Sequence, residues 1–97
     1  MDKHTVVCVL TAKPDKQEDL KKALMNVVTP SRDESTCLEY RLHQDINDPC
    51  KFLLFENWTS KADHEKQFEK SYILDLVGVC EQTLAKPYEV HLLSEIA

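Results

Sequence analysis

Glycine is nearly absent: Gly78 is the sole one among 97 residues. Phosphate-cradling loops and dinucleotide-binding turns need several positions without a Cβ, so nucleotide binding of those kinds is excluded. Long apolar runs are missing too, and none approaches the about 18 residues that cross a bilayer. The short run Val6-Val7-Cys8-Val9-Leu10 has no small-residue cleavage site after it. It reads as a strand rather than an export signal. Basic charge is in deficit, with 12 Lys and Arg against 17 Asp and Glu and a formal net charge of −5 at pH 7. Nucleic acids and anionic membranes are bound through basic patches, so neither partner is expected. Cys8, Cys37, Cys50 and Cys80 include no C-x-x-C pair and no accompanying histidine cluster. A structural zinc site needs closely spaced ligand pairs, so no metal is expected. Without an export signal, the cysteines read as free thiols in a cytoplasmic protein.

What is present describes one globular domain over residues 1–97, with 42% hydrophobic and 30% charged residues. Residues 4–12 are rich in β-branched side chains and apolar on both faces, as in a central strand covered on both sides. Leu20, Ala23, Leu24, Val27 and Val28 recur at helical spacing, with Asp15 and Glu18 placed as a capping box and the helix fading from Pro30 to Asp33. Cys37 to Asp45 alternates, with Leu38, Tyr40 and Leu42 on one side and Glu39, Arg41 and His43 on the other. Asn47-Asp48-Pro49 turns the chain into a third strand, Lys51 to Trp58, again apolar on both faces. Ser60 and Asp63 open a second helical region running to about Ala85, with Ser71 or Gly78 as candidate breaks. A last strand covers Tyr88 to Ser94.

The order β-α-β-β-α-β predicts an α+β, ferredoxin-like antiparallel sheet with two helices on one face. Two helices cover one face of four strands, yet the first and third strands are apolar on both. A homodimer packed sheet against sheet buries the second face most simply.

Laid end to end, these segments resemble a known family. Val6 to Pro14, Thr29 to Glu34, the string Cys37-Leu38-Glu39-Tyr40-Arg41-Leu42-His43-Gln44-Asp45 and Phe55-Glu56-Asn57-Trp58-Thr59-Ser60-Lys61 are similar to the antibiotic biosynthesis monooxygenases. The resemblance implies a dimeric α/β barrel of ferredoxin-like chains. It also implies oxidation of a small aromatic or quinol substrate by molecular oxygen, with no metal, flavin or haem cofactor. Two helix histidines usual in similar proteins are replaced here by Gln67 and Tyr72, with His64 about one turn earlier, and a usual glycine is Thr36. The haem-degrading branch uses an asparagine on the first strand, and none stands there.

Such chemistry needs an apolar pocket, a base and hydrogen bonds to the substrate anion. Trp58 offers an indole N–H, although core packing alone would also explain it. Glu56 shares its strand face, and in so apolar a strand it is either a base with a raised pKa or an ion-pair partner of Arg41 or a lysine. His43 is the base best placed to titrate near neutrality, with a surface or interface role as the alternative. Glu56, Trp58 and His43 are thus the candidate catalytic residues, and Tyr40, Gln67, Phe68 and Tyr72 the candidate substrate wall. His64 and His91 read as solvated or interface residues, and His4 as part of a frayed terminus. Two other readings stand beside the monooxygenase. One is an isomerase of a phosphorylated signalling molecule, with Arg41 or Lys51 at the pocket mouth. The other is a non-catalytic dimeric small-molecule-binding or stress protein.

Overall fold

The computed structural model describes residues 3–97; Met1 and Asp2 lie outside the described residues. The chain runs β1 (His4–Thr11), α1 (Gln17–Arg32), β2 (Cys37–Gln44), β3 (Lys51–Trp58), α2 (Lys61–Lys66), a 3-10 turn (Gln67–Glu69), α3 (Ser71–Thr83) and β4 (Glu89–Leu93). The strands lie in the order β2-β3-β1-β4, every neighbouring pair antiparallel. This is the ferredoxin-like α+β arrangement, as an open four-stranded sheet and not a barrel closed within one chain. Among the described residues, no helix is long and apolar enough to cross a membrane.

Alternation sorts the strand residues between two faces. Val6, Leu10, Tyr40, Phe52, Leu54 and Trp58 point toward the helices and are buried. They form one core with Leu20, Leu24 and Val27 of α1 and Ile73 of α3. The opposite face carries Val7 and Val9 of β1 beside Phe55 and Leu53 of β3, flanked by Arg41 and His43 of β2. Among the described residues no helix packs on that face; Thr5 and Asn57 are buried at one end of it, while its apolar residues Val7, Val9, Leu53 and Phe55 stay half-exposed.

The second helical region breaks at Ser71, one of its two candidate breaks: Lys70 adopts an extended conformation and α3 starts afresh at Ser71, so the sheet carries three helices. One local expectation is corrected. The capping box expected at Asp15 does not form, because α1 begins at Gln17 with Lys16 as its uncapped flank. Lys13 to Lys16 close a turn through a 2.9 Å bond from the Lys16 N–H to the Lys13 carbonyl. Asp15 therefore lies outside the helix, too early to reach its first free N–H groups. Ser60 does cap α2: its Oγ accepts from the Asp63 N–H at 3.1 Å and donates to the Asp63 carboxylate at 2.8 Å.

Candidate functional site

Between the inner sheet face and the helices α2 and α3 lies a cavity of about 270 Å³. Its walls are mostly apolar, from Val6, Leu10 and Leu54 on the sheet to Ile73, Leu76 and Leu84 on the helical side. A few polar groups, Glu56, His64, Gln67 and Tyr40, enter this wall. A mostly apolar cleft with a small polar set is how small-molecule sites are commonly built.

Glu56 comes from β3, where alternation turns it inward with Leu54 and Trp58. Its exposure is 4%, and burial pushes its carboxyl up to about 7, against the smaller opposing effect of the Trp58 hydrogen bond. The Trp58 indole N–H donates to Glu56 Oε1 at 2.9 Å. His64 Nε2 stands 3.8 Å from the same oxygen. Burial, then the nearby His4, lowers the His64 pKa below its ordinary value. His64 sits among aromatic rings, with ring centroids 5.6 Å from Trp58, 5.2 Å from Phe68 and 5.3 Å from His4.

Gln67 follows one helical step after His64. Its side-chain N–H group donates to Ser31 Oγ at 2.8 Å, and more weakly to Tyr72 Oη at 3.4 Å. The Tyr72 hydroxyl donates in turn to Glu34 at 3.3 Å. Burial raises the pKa of the Tyr40 phenol, so it stays protonated. The Cys8 thiol, also in the wall, is pushed up to about 12 by burial and is no nucleophile near neutrality.

Of the residues singled out by sequence, Glu56, Tyr40, Gln67 and Phe68 line this cavity, while Trp58 stands behind Glu56 as its hydrogen-bond donor. Tyr72 is half-buried beside Gln67 and outside the cavity wall. His43 is not part of the constellation. It pairs with Leu53 across the β2–β3 ladder, an outer-face register, and is exposed. Arg41 shares that outer face and binds Glu39 at 3.0 Å, so it is no partner of Glu56. Neither Arg41 nor Lys51 stands at the cavity mouth, because both belong to the outer surface around Phe55.

His64 is the residue that sequence reasoning missed. It is buried, with 7% exposure, rather than solvated. The Phe68–Tyr72–Leu76 stripe, continued back by four residues, reaches it. His4, far from frayed, lies within β1 and has a buried Nε2 with no partner among the described residues. Also among these residues, no group of three His, Cys, Asp or Glu converges to hold a metal ion.

Comparison with known proteins places the chain in a family. The antibiotic biosynthesis monooxygenase family model matches residues 4–76. An uncharacterized protein of Synechocystis sp. is 31% identical over 83 residues, which are 86% of this chain. The chain spans 56% of the length of that relative. The crystal structure of PA3566 from Pseudomonas aeruginosa superposes with a TM-score of 0.94 at 31% identity, covering 100% of this chain and 97% of that one. Rv0793 from Mycobacterium tuberculosis shares the fold at a TM-score of 0.92 and 22% identity, covering 99% and 97% of the two chains. With the family match spanning β1, β2 and β3 and the Glu56–Trp58 pair, the chain belongs to the antibiotic biosynthesis monooxygenase family.

Proposed function

We propose that the protein is a cofactor-independent monooxygenase that oxidises a small, non-anionic phenol or hydroquinone with molecular oxygen. One observation carries this reading: the Glu56 carboxyl lies buried in the wall of a mostly apolar cavity, where burial pushes its pKa up to about 7. General-base catalysis is most effective when the base titrates near the working pH. Trp58 fixes one oxygen of Glu56, and the other has no partner among the described residues. That free oxygen is available to take a hydroxyl proton from the substrate. The resulting electron-rich anion is what molecular oxygen attacks. For a hydroquinone, one oxygen atom enters the ring and the other leaves as water, giving a hydroxyquinone. The substrate supplies all the electrons, so no external reductant is needed.

The substrate is read as not anionic because, among the described residues, no lysine or arginine lines the cavity. This feature also counts against a phosphorylated substrate, whose charge would need such a partner. The working unit is proposed to be a homodimer packed through the outer sheet face. Val7, Val9, Leu53 and Phe55 form an apolar centre there, half-exposed in one chain. Beside it runs an ordered polar row: Thr5 donates to Asn57, Asn57 donates to Glu39 at 2.7 Å, and Arg41 donates to Glu39 at 3.0 Å. An apolar centre with a polar rim is the usual anatomy of a protein interface.

An oxygen electrode tests the activity, using chelator-treated protein and a panel of hydroquinones and naphthols. Oxygen uptake matched by quinone formation, and reduced about 100-fold or more in Glu56→Gln, is expected. Binding of these compounds with no oxygen uptake overturns the enzyme and leaves a small-molecule-binding protein on the same fold.

A further inference from the structure

Deprotonating a phenol inside an apolar cavity creates a buried anion, and such an anion is costly without a counter-charge. Among the residues of the cavity wall, His64 is the one able to become a cation. Its Nε2 lies 3.8 Å from Glu56 Oε1, within ion-pair range and about 1 Å longer than a hydrogen bond. Both side chains are buried, so their interaction is weakly screened.

The position of His64 is built into the chain. Ser60 caps α2, and the His64 N–H closes the first turn on the Ser60 carbonyl at 3.1 Å. The imidazole is then held between Trp58 on β3 and Phe68 on the 3-10 turn. Other titratable groups surround the pair. β1 presents His4 and Cys8, β2 presents Tyr40, α2 itself carries Glu65, and α3 brings Cys80 and Glu81. None of these is a lysine or arginine, and His4 opposes a positive charge on His64.

Resting on the monooxygenase reading, we propose that His64 is a catalytic residue that becomes the counter-ion of the substrate anion by accepting, through Glu56, the proton the substrate hydroxyl gives up. The proton passes from the substrate oxygen to the free oxygen of the Glu56 carboxylate, and the protonated carboxyl then turns and closes the 3.8 Å gap to hand it to His64 Nε2. Glu56 is restored as a carboxylate, and the imidazolium offsets the new phenolate. Charge and protons balance without any group from outside the cavity.

The test uses 4-nitrophenol, whose phenolate absorbs visible light and whose neutral form does not. Bound to the wild-type protein, it should ionise about one pH unit lower than when free in solution. His64→Leu should erase that shift or reverse it. Nitrogen-15 NMR of the wild-type complex gives an independent readout if the variant does not fold. The His64 signals should move from a neutral tautomer to imidazolium as the phenolate band appears. A phenolate bound beside a neutral His64, or a shift unchanged in His64→Leu, overturns the inference. A bound, ionised 4-nitrophenol beside a charged His64 with no oxygen uptake on hydroquinones overturns the monooxygenase alone. Failure of 4-nitrophenol to bind at all overturns the inference, and oxygen uptake on the hydroquinone panel decides the monooxygenase separately.

Discussion

The indole N–H of Trp58 donates to a carboxylate oxygen of Glu56 at 2.9 Å, between two side chains with exposures of 1% and 4%. Both residues lie on one strand with a single residue between them, so the pleat alone sets them side by side. The bond opposes the effect of burial on Glu56. Replacing Trp58 by Phe keeps an aromatic ring but removes the donor. The Glu56 carboxyl then moves above its present value of about 7. Stability falls by about 2–4 kcal/mol, from the lost charge-assisted hydrogen bond and the smaller ring. Infrared titration of the carboxylic acid band and urea unfolding measure the two effects, and oxygen uptake at neutral pH falls as the base stays protonated.

Glu56 also gives stability a definite pH dependence. Its carboxyl titrates at about 7 in the folded protein, against an ordinary 4.5. Between those values the unfolded chain has released the proton that the folded chain still holds. The folded state binds more protons, so stability from this group is complete below about 4.5 and is lost as pH rises through about 7. The displacement is worth at most about 3 kcal/mol. His64 acts in the opposite sense, because its lowered pKa costs stability as pH falls below the ordinary histidine value. Comparison with Glu56→Gln separates the two, since glutamine still accepts from Trp58 and leaves His64 in place. Urea unfolding at pH 4.5 and pH 8 should show the variant gaining about 2–3 kcal/mol on the wild type across that interval.

β2 is legible because its side chains alternate over eight residues, β1 and β3 because they are short apolar runs, and the Glu56–Trp58 pair because alternate residues of one strand share a face. The identity of the pocket face is not. β1 and β3 are apolar on both sides, so nothing in their pattern tells which side the helices cover. His43 was placed with Glu56 on its chemistry, while the ladder register, in which it faces Leu53, puts it on the other side. His64 escaped for another reason. α2 has six residues, Lys-Ala-Asp-His-Glu-Lys, and turns one of them into the cavity wall. A single inward position in so short and charged a helix carries no periodicity of its own, and only the stripe of the next helical segment, followed back from Phe68, points to it. The missing cap at Asp15 is similar: a turn of one extra residue moved the helix start, and turn length is set by packing rather than by the cap signature.

The lone glycine is a weakness and not a requirement. Gly78 lies within α3, exposed, and a Cβ built there meets nothing within 4 Å. Its backbone is helical, so no left-handed conformation would be lost. Gly78→Ala should therefore stabilise the protein by about 0.5–1 kcal/mol, through helix propensity and a less flexible unfolded chain. Thermal unfolding should shift upward by a few degrees, with activity unchanged because position 78 is outside the cavity wall.

Phe55 tests the proposed assembly. It lies on the outer sheet face between Val7 of β1 and Arg41 of β2, half-exposed in a single chain. Side chains of this size each contribute about 1.5–3 kcal/mol when fully withdrawn from water. A two-fold interface uses every such residue twice, so one substitution removes two contacts. Phe55→Glu also brings a carboxylate into an apolar centre close to Glu39. Sedimentation equilibrium should give twice the chain mass for the wild type and the chain mass for the variant. The inner core does not include Phe55, so the variant should keep its far-ultraviolet circular dichroism. A wild-type protein that sediments as a monomer at all concentrations would remove the dimer, while leaving the Glu56–His64 cavity of each chain intact.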